Sequence, residues 1–80
     1  MLTPSQCRAA RALLDWSQQA LADAAKVGNA TIRNFESGKT TPQNATLEML
    51  RQTLAANGVI FIAENGEGPG VRLRKNAGTE

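Results

Sequence analysis

The sequence predicts a mainly α domain of four short helices followed by a C-terminal β-hairpin. Three observations carry this. Apolar residues recur at spacings of three and four through the first part of the chain, each stretch bracketed by capping and stop signals. After Asn57-Gly58 the period changes to a β-branched and aromatic run, then a glycine-rich segment, then an alternating apolar and basic run. Eighty residues suffice for one domain, in which roughly 60 to 65% of the unfolded surface is buried on folding. Hydrophobic residues make up 41%, and with the seven glycines they reach the share of an ordinary globular domain.

The first helix is expected over about Pro4 to Leu14. Thr3-Pro4-Ser5-Gln6 fits a capping box, in which the Thr3 oxygen accepts from the Gln6 amide and Gln6 reaches back to Thr3, while Pro4 loses nothing at the first helical position. Cys7, Ala10 and Leu14, with Leu13 beside them, form its apolar face, and Arg8 lies on a polar flank. Ser17 caps a second helix, Gln18 to Ala25, with Leu21, Ala22 and Ala25 as its narrow stripe. The pattern breaks at Lys26-Val27-Gly28. It resumes at Asn29 and stops at Ser37-Gly38, with Ile32 and Phe35 as the buried pair of a short third helix. Lys39 to Pro42 reads as loop. A fourth helix begins near Asn44 and turns Leu47, Leu50 and Leu54, with Met49, to the core before Asn57-Gly58 ends it. Val59 to Ile62 and Val71 to Lys75 form the hairpin strands, joined by a loop holding Asn65-Gly66 and Gly68-Pro69-Gly70. Gly66, Gly68 and Gly70 are turn residues and not a phosphate cradle, because no helix follows and Pro69 removes a donor. Residues 1–58 are expected as the principal unit, 59–75 as a dimerisation element of the same domain, and 76–80 as a frayed tail.

Composition excludes several functions. One cysteine cannot close an internal disulfide, and without histidine a zinc site would need carboxylates and a single thiol, so no metal and no cofactor is expected. Cys7 is expected as a small core residue. The lack of His and Tyr removes the usual general bases, so no enzyme is expected. The longest apolar run, Val59 to Ala63, is far below the roughly 20 residues a membrane helix needs. No secretory pattern opens the chain, and a cytoplasmic protein is expected. The net charge is +2, from nine Lys and Arg against seven Asp and Glu, so any basic surface must come from placement.

Two short helices joined by a three-residue turn, with small Ala22 at their crossing and Leu21, Val27, Ile32 and Phe35 as anchors, make a helix-turn-helix pattern. Taken alone those anchors are core, and they define the exposed face. Asn29, Thr31, Arg33 and Asn34 lie on that face, which as a merely solvated surface would look much the same. Their chemistry suits base edges: Asn bonds adenine bidentately, Thr donates to a base or meets a thymine methyl, and the Ala30 methyl also suits thymine. The residues Gln18-x-x-Leu21-Ala22, Val27, Ala30-Thr31-Ile32, Phe35-Glu36-x-Gly38 and Thr41-Pro42, in register, resemble the phage repressor and Cro family of helix-turn-helix DNA-binding proteins over about residues 4 to 58. The resemblance implies that Asn29, Ala30, Thr31 and Asn34 face bases, and that Gln18, Arg33, Ser37, Lys39, Thr40 and Thr41 hold phosphates. It further implies an ion pair between Arg11 and Glu36 that fixes the third helix to the first; the residues by themselves read as two surface charges. Two positions depart from the family. Lys26 stands where glycine is usual, at a cost of roughly 1 kcal/mol if positive φ is kept, and Gly28 replaces the usual Ser or Thr cap. Trp16 is expected to cover the junction of the first two helices.

The expected function is a sequence-specific, DNA-binding regulator of repressor type that reads the major groove of double-stranded DNA as a homodimer. The alternative is an antitoxin that binds a toxin protein as well as its own promoter, and a third reading is an interaction module that has lost DNA binding. A lone hairpin must pack on something. Val59, Phe61, Val71 and Leu73 on one face can lie on the helices, which needs no partner. Ile60 and Ile62 make the other face apolar, so the hairpin residues Val59, Ile60, Phe61, Ile62, Val71 and Leu73 are expected to build the dimer. Arg72, Arg74 and Lys75 would limit further sheet growth or touch DNA flanks.

Overall fold

Helix α1, Pro4–Leu14, begins with the full reciprocal cap: Thr3 Oγ1 accepts from the Gln6 amide and Gln6 Oε1 accepts from the Thr3 amide, both at 3.1 Å. In this computed structural model, which describes residues 1–75, it is followed by α2 (Gln18–Ala25), α3 (Asn29–Glu36), α4 (Asn44–Ala56), β1 (Val59–Ile62) and β2 (Gly70–Leu73). The tail expected to fray at 76–80 lies outside the described residues. No helix among the described residues is long and apolar enough to cross a membrane.

The first three helices end alike. A left-handed residue turns the chain, its amide and the next one folding back onto the last turn. At α1 Asp15 (φ 59°) donates to Ala12 O and Trp16 to Arg11 O; at α2 Lys26 (φ 60°) donates to Asp23 O and Val27 to Ala22 O. Gly38 does the same for α3 with φ 80°. Asp15 and Lys26 hold this conformation with a Cβ, which costs about 1 kcal/mol each. Lysine at 26 has therefore not altered the turn, and Lys26→Gly is expected to raise stability by up to about 1 kcal/mol, measured by thermal unfolding.

Phe35, Leu21, Ile32, Leu50 and Leu54 are fully buried and join all three later helices into one core. Ala10, Ala22 and Ala25 are buried with them, which lets the helix backbones approach closely. Two expected core residues are not there. Leu13 is 38% exposed and Met49 47% exposed. Leu13 lies about 100° around its helix from Leu14 and about 120° from Cys7, and Met49 about 100° from Leu50 and about 160° from Leu47, so both turn outward. Trp16 packs half-buried against the core at the junction of α1 and α2.

The hairpin is antiparallel, pairing Val59 with Leu73, Ile60 with Arg72, Phe61 with Val71 and Ile62 with Gly70. The second strand starts at Gly70 and stops at Leu73, just beyond which the Arg74 amide donates to Gly58 O at 2.6 Å in the same register. Val59 enters the core and Phe61 and Val71 pack against it. A polar tie adds to this contact: buried Gln6 donates from Nε2 to Gly70 O at 3.2 Å, so one side chain caps α1 and docks the hairpin on it. In the connecting loop the Glu64 carboxylate accepts from the amides of Gly66 and Gly68, so these donors are spent within the turn.

Candidate nucleic-acid interface

Eight residues make α3, and their two faces differ in kind. Ile32, Phe35 and Glu36 point inward. Ala30, Arg33 and Ser37 are exposed, and Asn29, Thr31 and Asn34 are half-buried along the flanks. A helix of 3.6 residues per turn places 30, 33, 34 and 37 together on the side opposite 32 and 35, with 29 at the edge of that face beside 33. Of the residues expected to face bases, Asn29, Ala30 and Asn34 share this surface with Arg33, whereas Thr31 lies on the flank between Asn34 and buried Phe35. Arg33 Nη1 donates to Asn29 Oδ1 at 3.0 Å, one turn away, which ties an expected phosphate contact to an expected base reader. Gly28 precedes the helix with extended backbone and no side-chain cap; its carbonyl accepts from the Thr31 amide at 3.1 Å, and no side chain caps the amides of Asn29 and Ala30. Lys39, Thr40 and Thr41 are exposed in the loop that leaves the other end.

The inner face of α3 carries the electrostatics. Glu36 is only 3% exposed, and four donors surround its carboxylate. Arg11 grips it bidentately, Nε to Oε2 and Nη2 to Oε1, both at 2.7 Å. Gln18 Nε2 donates to Oε1 at 3.1 Å and Cys7 Sγ to Oε2 at 3.1 Å. Burial acts to raise the Glu36 pKa, but the hydrogen bonds from Arg11, Gln18 and Cys7, with the Arg11 charge, outweigh it and hold the carboxyl below its ordinary value. Burial, then the bond to Glu36 and its negative charge, push the Cys7 thiol far up, so it remains a protonated donor. Arg11 also donates from Nη1 to Trp16 O at 2.9 Å, tying the end of α1 to the same cluster. No buried side-chain nitrogen or oxygen among the described residues lacks a partner.

The expected pairing of Arg11 with Glu36 is thus present, as the centre of a larger network. Gln18 faces inward to Glu36 as well as standing at the start of α2. Sequence reasoning missed three members, Cys7, Arg8 and Gln18, the last expected only at a phosphate. Arg8 Nη1 donates to the backbone carbonyl of Glu36. The positions 7, 8 and 11 lie on neighbouring rows of one helix, a signal for a shared target once Glu36 is known to pack there.

Among the hairpin residues expected at a dimer contact, Val59 is 2% exposed and already spent in the core, which removes it from any surface a partner could touch. Phe61 and Val71 are half-buried against the helices. Ile62 and Leu73 remain 37% and 36% exposed, and Ile60 is half-buried on the outer face. Ile62 lies over bare Gly70, its Cδ1 3.7 Å from where a Cβ there would stand. A cavity of about 300 Å³ opens beside it, lined in part by Met1, Leu2, Phe61, Ile62 and Pro69.

Compared with known proteins, the chain matches the helix-turn-helix family over residues 8–55, more than half its length, from α1 through nearly all of α4. No curated protein matches it.

Proposed function

The chain belongs to the Cro and lambda-repressor type of helix-turn-helix DNA-binding regulators, and on that premise we propose that it is a sequence-specific repressor acting as a homodimer in the cytoplasm. The observation that carries this is α3: a polar outer face on a short helix whose inner face is clamped by the Glu36 network. Asn29, Ala30, Thr31 and Asn34 meet base edges in the major groove. Gln18, Arg33, Ser37, Lys39, Thr40 and Thr41, together with the uncapped first amides of α3, hold the backbone. Selection of bound duplexes from a random DNA pool tests the reading. A palindrome supports the dimer, a single half-site supports the monomer, and no enriched sequence sinks sequence-specific binding.

Binding is expected to weaken steeply with salt although the net charge is only +2. Each phosphate neutralised adds about 0.9 to the slope of log K against log salt, so a dimer with several contacts per half-site gives a slope of several units. A flat response in fluorescence anisotropy across a salt series would show that phosphates are not held.

The hairpin, as an added element beside the unit of residues 1–58, is the proposed dimer contact through the outer-face strip of Ile60 and Ile62, with Leu73 left accessible at the end of the other face. Ile62→Glu is expected to shift the full chain from dimer to monomer in sedimentation equilibrium and to weaken binding to a two-half-site duplex more than to a half-site. A dimer that survives the change places the contact elsewhere. The same strip suits an unlike protein, as an antitoxin would require; a second chain that copurifies and displaces the dimer would favour that role.

A further inference from the structure

The last four carbonyls of an α-helix have no partner within it. In α3 three are answered by the chain just beyond. Arg33 O accepts from the Ser37 amide at 3.1 Å, Asn34 O from the Lys39 and Thr40 amides at 2.8 and 3.2 Å, and Phe35 O from the Gly38 amide at 3.0 Å. The fourth, Glu36 O, accepts from Arg8 Nη1, across from α1. Arg8 Nη2 in turn donates to Ser5 Oγ at 3.2 Å, one turn back on its own helix, which steadies the guanidinium. Its charge also sits at the negative end of the α3 dipole.

Glu36 is therefore held twice by α1, at its carboxylate by Arg11 and at its backbone by Arg8. The two grips differ. The carboxylate ends a flexible side chain, so the Arg11 pair alone leaves the helix free to pivot about it, whereas the carbonyl is part of the helix itself. We propose that Arg8 is a positioning residue for DNA binding: by holding the backbone end of α3 it sets the tilt at which the reading face enters the groove. This rests on the reading of α3 as the base-reading helix. Arg8 is exposed, so direct contact with a phosphate is the competing role, and the response to salt separates the two.

The test uses the full chain with two probes, a duplex recovered by selection from a random pool and a scrambled duplex of the same length. Arg8→Met is expected to weaken binding to the selected duplex about tenfold, to leave the scrambled one within about twofold, and to keep the salt slope unchanged. Arg8→Lys restores part of the loss, since an ammonium can still reach the carbonyl. Ser5→Ala gives a smaller loss in the same direction. Weakening on both duplexes with a slope reduced by about 0.9 makes Arg8 a phosphate contact and overturns the proposal, as does unchanged affinity. Should Arg8→Met fail to fold by circular dichroism, Ser5→Ala decides alone, and wild-type affinity there overturns it. If the unaltered chain selects no duplex, the reading of α3 itself fails and the role of Arg8 falls with it.

Discussion

Replacing Arg11 by Met is expected to lower the stability of the domain by about 3 kcal/mol, because a buried carboxylate is left without its counter-charge. Glu36 is 3% exposed and cannot turn to water without opening the contact of α3 with α1. Gln18 and Cys7 still donate to it, which keeps the loss at the lower end of the range for broken buried pairs. Against a total of about 5 to 10 kcal/mol for so small a domain the change is large, and it should lower Tm by roughly 15 °C. Glu36→Gln is expected to cost less, about 1 kcal/mol, since the amide oxygen keeps one bond from Arg11. The double mutant measures the coupling, and simple additivity of the two losses would show that the residues do not interact.

The same pair sets a dependence on pH. The folded-state pKa of Glu36 is depressed, so its contribution is fully present above the unfolded pKa and is lost as pH falls through the folded one, below the ordinary carboxylate range. In Arg11→Met burial is less opposed and the pKa rises. That variant should therefore lose less, relative to the unaltered chain, in acid than at neutral pH. Urea unfolding across a pH series would read both trends.

Asn29→Ala and Asn34→Ala are each expected to relax base preference by about 1 to 3 kcal/mol at one position per half-site, which doubles when both half-sites are bound. Lys39→Ala should instead weaken all sequences alike and reduce the salt slope, the mark of a backbone contact. Arg33→Ala is expected to do some of each, since Arg33 steadies the Asn29 side chain from one turn away. Binding measured against single-base variants of a selected duplex sorts these outcomes. Equal effects of the two asparagine variants and Lys39→Ala would mean that α3 does not present this face to bases.

What the sequence determined by itself was local. The Thr3-Pro4-Ser5-Gln6 box, the Ser17 cap and the Gly38 and Gly58 stops each act within a few residues, so the helix limits were legible before any packing was known. The stripe of Leu21, Ala22, Ile32 and Phe35 likewise follows from helical spacing, and with it the outer face of α3. The tertiary structure decided everything that joins residues distant in the chain. Arg8 and Cys7 read as a flank residue and a small apolar one until the fold brought Glu36 against them, 28 and 29 positions on. Gln6 read as half of a cap until it met Gly70, 64 positions away. Leu13 and Met49 looked like core by composition, yet a helix can turn only one stripe toward its neighbours, and which stripe is chosen depends on the other elements. Spacing along a chain fixes the direction of a side chain on its own helix, but what it meets there is set by packing among helices and hairpin.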